Sequence, residues 1–395
     1  MKYLIVTAFY PPQNSSAANQ IYDLSKEFIK QGHNVNLFIA DDSIKRNIQI
    51  EKKGSLQLTR FKVLKITNIK FFIRLINEFL MPFKMITSAI IYRIKVSGYD
   101  GIIWYSPSAF FSPLIFFLKL FNKCKTYLIL RDIFPKWVKD LKLINSKYVY
   151  FILEFCSNMQ FLAADVVGVQ SKSNIKFIPK RIFLKSTKVT VLNNWLSKKQ
   201  QDYCRINLSN AKLKGKRIVI YAGNMGVSQG MQTIIELANS MRKNIDIAFL
   251  FIGRGTEYLN SKNKCKELGL QNIVFEDEIS SSQIFDLYSK CYCGLIVLDK
   301  RHKTHNIPGK LLSYLQAGLP VFAIVNKKND LISIVNKTRV GFATDNYDLN
   351  EIEINFKSLL KNIEEDEQIN VRCKELASSL FNTSTIVKEI INDLK

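Results

Sequence analysis

His305-Asn306-Ile307-Pro308-Gly309-Lys310-Leu311-Leu312-Ser313-Tyr314-Leu315-Gln316-Ala317-Gly318-Leu319-Pro320 is the stretch that decides the fold. A polar loop with Pro and Gly opens into a helix over Lys310 to Gln316. An Ala-Gly-Leu-Pro turn then feeds the apolar strand Val321 to Val325. A helix entered from such a loop presents its first free backbone N–H groups and its positive dipole end to whatever occupies the loop. His305 and Lys310 flank that end, which makes it a seat for a phosphorylated ligand.

Outward from this unit, short apolar runs alternate with helical stretches in both directions. Tyr3–Phe9, Val35–Ala40, Ile102–Tyr105, Thr126–Arg131, Val166–Val169 and Val189–Leu192 read as strands of a first series. Arg217–Ala222 restarts the pattern, followed by Ile245–Ile252, Ile273–Phe275, Leu295–Leu298 and Val321–Val325. Strands of this kind, separated by helices, form parallel sheets covered on both faces. The fold class is therefore α/β, with two Rossmann-like domains. The expected boundaries are 1–196 for the first domain, 197–216 for a polar linker, 217–365 for the second domain and 366–395 for a C-terminal helix long enough to cross back.

At 395 residues the chain exceeds one ordinary core, and 47% hydrophobic against 23% charged residues excludes a disordered chain. Of a net charge of +24, residues 1–200 carry +20, from 31 Lys+Arg and 11 Asp+Glu. An anionic partner on the N-terminal side fits this imbalance, and an anionic membrane surface fits better than nucleic acid, for which no zinc-finger, RNP or basic-zipper pattern exists. The other reading of the charge is lysine-rich composition without function. Ile69 to Val96 is apolar with interspersed Lys70, Arg74, Lys84, Arg93 and Lys95, and Glu78 is its one acid. It reads either as an interfacial amphipathic helix broken near Pro82 or as an ordinary domain helix. Gly101 to Leu118 is interrupted by Pro107 and Pro113, which argues against a membrane span. The seven cysteines have no metal-ligand spacing, and the acidic runs Asp41-Asp42 and Glu276-Asp277-Glu278 have no further partner identifiable by spacing, so no metal is expected.

Two further loops carry chemistry. Tyr221-Ala222-Gly223-Asn224-Met225-Gly226-Val227-Ser228-Gln229-Gly230 joins a strand to a helix, and its glycines permit close approach of backbone to ligand. It has neither the Walker nor the dinucleotide spacing. Phe251-Ile252-Gly253-Arg254-Gly255 repeats the geometry one strand later, with Arg254 either a clamp on a diphosphate or an exposed arginine.

Together these stretches resemble the nucleotide-sugar domain of retaining GT-B glycosyltransferases of family 4. Residues 221–230 and 305–320 are similar, more narrowly, to bacterial transferases of N-acetyl-L-fucosamine and related 6-deoxy amino sugars in O-antigen and capsule assembly. Phe9-Tyr10-Pro11-Pro12 with Ser15-Ser16-Ala17-Ala18, Arg131-Asp132-Ile133-Phe134-Pro135 and Val191-Leu192-Asn193-Asn194-Trp195 resemble motifs of the family's first domain. The resemblance implies a GT-B fold, two Rossmann-like domains facing a central cleft. It implies a UDP-linked donor, no cofactor, and a polyprenyl-diphosphate-linked saccharide acceptor at the inner face of the cytoplasmic membrane. The implied catalytic residues are Asp132, His305, Arg254 and Lys310. The implied donor contacts are Ser16, Ala17, Gly223, Asn224, Gln229, Gly253, Arg254, Asn306, Ile307, Pro308, Gly309, Lys310, Leu311 and Ser313.

The chain departs from the family where the chemistry is concentrated. Two glutamates usually flank seven residues of the donor helix region, and here those positions are His305 and Ser313. The arginine and lysine usual in the earlier loop are Asn224 and Gln229. Arg254, Lys310 and the helix N–H groups are left to meet the donor's phosphate charge. Three rival readings stay open: a transferase of this fold with another donor, such as UDP-GlcNAc or a GDP-hexose; an NDP-sugar 2-epimerase; and a non-catalytic basic protein binding membrane or nucleic acid.

Overall fold

The computed structural model describes residues 1–13, 15–67, 69–106, 109–144, 146–180, 186–196, 202–280, 282–305 and 307–395. The chain divides into two compact units, Met1–Trp195 with Thr383–Lys395, and Leu196–Asn382.

Among the described residues, unit 1 holds an eight-stranded sheet in the order β3-β4-β2-β1-β5-β6-β7-β8. Its strands are β1 Lys2–Thr7, β2 Asn34–Asp41, β3 Ile48–Lys53, β4 Leu56–Lys62, β5 Gly101–Ser106, β6 Thr126–Leu130, β7 Val166–Val169 and β8 Lys188–Val191. All pairings are parallel except β3 with β4. The antiparallel edge strand β3 was not expected. Its Glu51-Lys52-Lys53 sequence hides an ordinary strand pattern, and charge of this kind suits an exposed edge.

Alternation along the strands builds two cores, one on each sheet face. Leu4 and Val6 face one with Trp104, while Tyr3 and Ile5 face the other with Tyr105. Helices Phe71–Ile91, Ser112–Phe121 and Lys147–Ala163 cover the first face. Helices Ser16–Lys30 and Thr383–Leu394 cover the second, where Ile386, Val387 and Ile390 are buried.

Unit 2 holds a six-stranded parallel sheet in the order β11-β10-β9-β12-β13-β14. The strands are β9 Arg217–Ala222, β10 Ile247–Ile252, β11 Ile273–Glu276, β12 Cys293–Val297, β13 Val321–Ile324 and β14 Gly341–Thr344. Strand β10 is buried along its whole length, as a central parallel strand must be.

Three expectations need correction. The helix expected at 366–395 is two helices, Ile369–Leu380 in unit 2 and Thr383–Leu394 in unit 1. The stretch expected as linker, 197–216, packs into unit 2 over its described part. Cys204 and Leu213 are core residues there, and the Cys204 N–H donates to Asp286 Oδ2 at 2.8 Å; residues 197–201 lie outside the described set. The helix expected to break near Pro82 runs unbroken from Phe71 to Ile91. Met81, Met85 and Ala89 anchor it to the core, and that packing offsets the ~3 kcal/mol disruption of an internal proline.

Candidate functional site

In an open α/β sheet, ligands bind at the carboxyl ends of strands where the strand order reverses. In unit 2 the reversal lies between β9 and β12. The loop after β9 runs through Gly223–Gly230, and the loop after β12 leads to the helix Gly309–Ala317. The two loops are tied together, since the Asp299 N–H donates to the Ser228 carbonyl at 3.0 Å. The loop after β10 zips onto the first: Gly223 N–H donates to the Ile252 carbonyl and Met225 N–H to the Arg254 carbonyl, both at 2.8 Å. The expected glycines are required here. Gly253 has φ +145°, and a Cβ on it would stand 2.0 Å from the Gly223 carbonyl oxygen.

The helix Gly309–Ala317 is set over this point by Tyr314. Its hydroxyl accepts from the Ala222 N–H at 3.1 Å and reaches the Ile220 carbonyl at 3.3 Å. Gly294 makes room, because a Cβ there would meet the Tyr314 ring at 2.6 Å. Pro308 begins the helix in extended backbone, with no side-chain cap and no acid in the first turn. The first-turn N–H groups therefore carry neither a side-chain acceptor nor a compensating charge.

Lys310, four residues before Tyr314, is delivered to the β9 loop by this placement. Its Nζ donates to Gln229 Oε1 at 2.9 Å, lies 4.5 Å from the Tyr221 ring centroid, and its Cε lies against Gly223. Among the described residues no carboxylate pairs with it. Burial of the ammonium pushes its pKa down to about 7. A poorly compensated cation facing a glycine loop and a helix N-terminus is an anion seat. Sequence alone placed both Lys310 and Gln229 in the site, but not the hydrogen bond between them or the aromatic face beneath Lys310.

The remaining expected residues divide. Asn224 is exposed, and its carbonyl accepts from the Tyr221 hydroxyl at 2.7 Å. Arg254 stands at the end of β10 with its side chain 70% exposed, and its Nε donates to Glu278 Oε2 at 2.9 Å. Ser313 Oγ lies 3.4 Å from the Gly309 carbonyl, within its own helix. His305 is buried. Ile307 and Leu311 are core residues, which leaves their backbone as the part that can meet a ligand. Pro308 and Gly309 are part-exposed at the helix entrance. Asn306 lies outside the described residues.

Ser16, Ala17 and Asp132 belong to unit 1. Ser15 caps the helix Ser16–Lys30, accepting from the Ala18 N–H at 3.2 Å. That helix follows β1 and Asp132 follows β6, so both stand at the same, carboxyl end of the parallel sheet. A buried polar cluster underlies them. Gln20 and Arg131 both donate to Asn194 Oδ1, the Tyr105 hydroxyl donates to Gln20 Oε1 at 3.0 Å, and the Trp195 indole donates to the Gln20 carbonyl at 2.8 Å. Arg131 thereby fixes the backbone that carries Asp132. Gln20, on a helix with no motif of its own, gave no sequence signal.

The pair Asp41-Asp42 has structural partners. Asp41 binds Arg60 at 2.7 Å and Ser43, and Asp42 accepts from the Ile66 and Thr67 N–H groups. Among the described residues no cluster of three metal-ligating side chains occurs. The seven cysteines are free, and burial pushes the Cys124 and Cys265 thiols up to about 11, away from the thiolate form.

Residues 205–375 match the model of the family described as Glycosyl transferases group 1. The chain is similar to the probable glycosyltransferase WbjE of Pseudomonas aeruginosa, 22% identical over 55% of each chain. It is also similar to the putative colanic acid biosynthesis glycosyl transferase WcaI of Escherichia coli K12, 28% identical over 26% of this chain and 25% of that one. The chain thus spans about half, or less, of the length of these curated relatives. Its fold superposes on Anabaena Alr3699/HepE in complex with UDP, with a TM-score of 0.65, 13% identity and coverage of 100% and 99%. The fold is GT-B, and the residues that match the family model lie within unit 2.

Proposed function

We propose that the protein is a retaining glycosyltransferase with a UDP-linked donor. The observation that carries this reading is Lys310, an ammonium with no carboxylate partner among the described residues, at the reversal point of unit 2. The family match over 205–375 and a UDP complex among the structures of the same fold support it. In the proposed reaction the bond from the sugar's anomeric carbon to the β-phosphate oxygen breaks, and the acceptor oxygen bonds that carbon on the same face. The acceptor's proton passes to the departing phosphate. Lys310 and the N–H groups of helix Gly309–Ala317 stabilise the charge that grows there, with Arg254 in support. His305 and Ser313 are proposed to bind sugar or ribose hydroxyls.

The proposed donor sugar is an N-acetylated 6-deoxy amino sugar, N-acetyl-L-fucosamine foremost. The proposed acceptor is a polyprenyl-diphosphate-linked saccharide in O-antigen or capsule assembly, at an anionic membrane surface. Resemblance of residues 221–230 and 305–320 to such transferases supports the donor, and the similarity to WcaI supports a surface polysaccharide. A panel of UDP-sugars with a synthetic lipid-linked acceptor tests the reading; it fails if no UDP-sugar is consumed and none raises the melting temperature. Turnover is expected to survive EDTA, and a loss restored by a divalent cation would overturn the metal-free scheme. Asp132→Asn is expected to lower transfer about 10²-fold by loosening acceptor or sugar orientation, with UDP affinity by calorimetry unchanged.

A further inference from the structure

The helix layer on one sheet face of unit 1 leaves two apolar stripes uncovered. Helix Phe71–Ile91 turns Met81, Met85 and Ala89 to the core and exposes Phe72, Ile76, Phe79, Phe83 and Ile90 on its other side. At 1.5 Å per residue this stripe is roughly 30 Å long. Helix Lys147–Ala163 buries Leu153, Ser157 and Phe161 and exposes Tyr148, Phe151, Ile152 and Phe155 at spacings of three and four. Tyr148 is 85% exposed and Phe151 68%. Helix Ser112–Phe121 packs between the two and leaves Leu120 and Phe121 exposed at its end. In unit 2 the exposed large apolar residues, Tyr203, Val227, Ile245, Leu259, Leu349, Ile354 and Val371, are spread along the chain, and among the described residues only Leu349 and Ile354 share a helix.

We infer that these two stripes together form a monotopic membrane face, with the helices lying in the headgroup plane of an anionic bilayer. The inference rests on the proposed membrane location and adds to it the second helix, which nothing in the sequence had singled out. Charge decides the occupant. Arg74, Lys84, Arg93 and Lys95 border the first stripe in sequence, and Lys136, Lys139, Lys142 and Lys147 lead into the second. Lysine is depleted where proteins meet proteins, because its ammonium is costly to dehydrate. At a bilayer the same lysines keep their ammonium groups among anionic headgroups while their stems lie on the apolar surface. No described helix is long and apolar enough to cross a membrane, so the geometry is that of a helix lying on the surface.

Flotation of the full chain with vesicles of phosphatidylglycerol and phosphatidylethanolamine, against phosphatidylcholine alone, tests this. Binding is expected to the first and to fall steeply in the second. The double variants Phe151→Ser with Phe155→Ser, and Ile76→Ser with Phe83→Ser, are each expected to lower partitioning about tenfold or more, as loss of two buried apolar side chains requires. A Phe155→Trp variant, which keeps the apolar face, should shift its emission to the blue on binding. Partitioning unchanged in both double variants overturns the inference. So does a concentration-dependent dimer that the Phe151/Phe155 pair dissolves while vesicle binding persists, since the occupant is then a second copy. UDP-sugar binding, measured on the same samples, separates failure here from failure of the proposed activity.

Discussion

Replacing Lys310 by alanine is expected to weaken UDP-sugar binding about 10- to 100-fold, the range for a charge-assisted contact in a partly buried site. Calorimetric titration with UDP measures it, and unchanged affinity removes Lys310 from the site. Because Lys310 Nζ lies 2.9 Å from Gln229 Oε1, a charge swap is informative. Lys310→Gln with Gln229→Lys puts the ammonium on the neighbouring position, where the family usually has it, and should recover most of the affinity lost in Lys310→Gln alone. Lys310 with its pKa about 7 is largely charged at pH 6 and largely neutral at pH 8. UDP-sugar affinity should therefore fall as pH rises across that interval, while Lys310→Arg stays flat. Stability runs the other way. The folded-state pKa lies below the ordinary 10.5, so the unfolded chain holds this proton more tightly. The resulting destabilisation is absent above pH 10.5 and complete below about 7. Ligand-free Lys310→Met should accordingly melt above the wild type at pH 6, and by less at pH 9.

Gly253→Ala is expected to cost about 3 kcal/mol or more and to abolish UDP-sugar binding in whatever protein still folds. Two causes act together. A φ of +145° is one that residues with a Cβ rarely adopt, and the new methyl would overlap the Gly223 carbonyl at 2.0 Å. Relief requires separating the loops after β9 and β10, which breaks the Gly223 N–H to Ile252 bond and releases the wall on which Lys310 rests. Denaturant unfolding and calorimetry together check it. A variant of wild-type stability with intact binding would show that the loops need not touch. Gly32→Ala is the control, since its positive φ carries strain but nothing lies within 4 Å of the added Cβ.

Much of the site was legible because it is built from local rules. Glycine at 223 and 253 announces backbone that other residues refuse, and Pro308-Gly309-Lys310 announces a helix entrance facing a ligand. What was not legible depends on pairs distant in the chain. Gln229 and Lys310 are 81 residues apart, and Gln20 meets Asn194 across 174. No periodicity encodes either pair. The burial of the Ile307 and Leu311 side chains was not legible for a related reason: a motif names positions but does not say which side chains point into the core.

The sequence by itself determined two α/β units, the three loops of the proposed donor site and the basic bias of the N-terminal half. These follow from apolar period, turn residues and composition, which are properties of short windows. Tertiary structure alone decided that the last two helices belong to different units, that Lys310 sits on Gln229 and Tyr221 with its pKa lowered, and that two helices of unit 1 keep apolar faces uncovered. Each of these depends on what a side chain is packed against, and an apolar stripe looks the same in sequence whether a core covers it or solvent does.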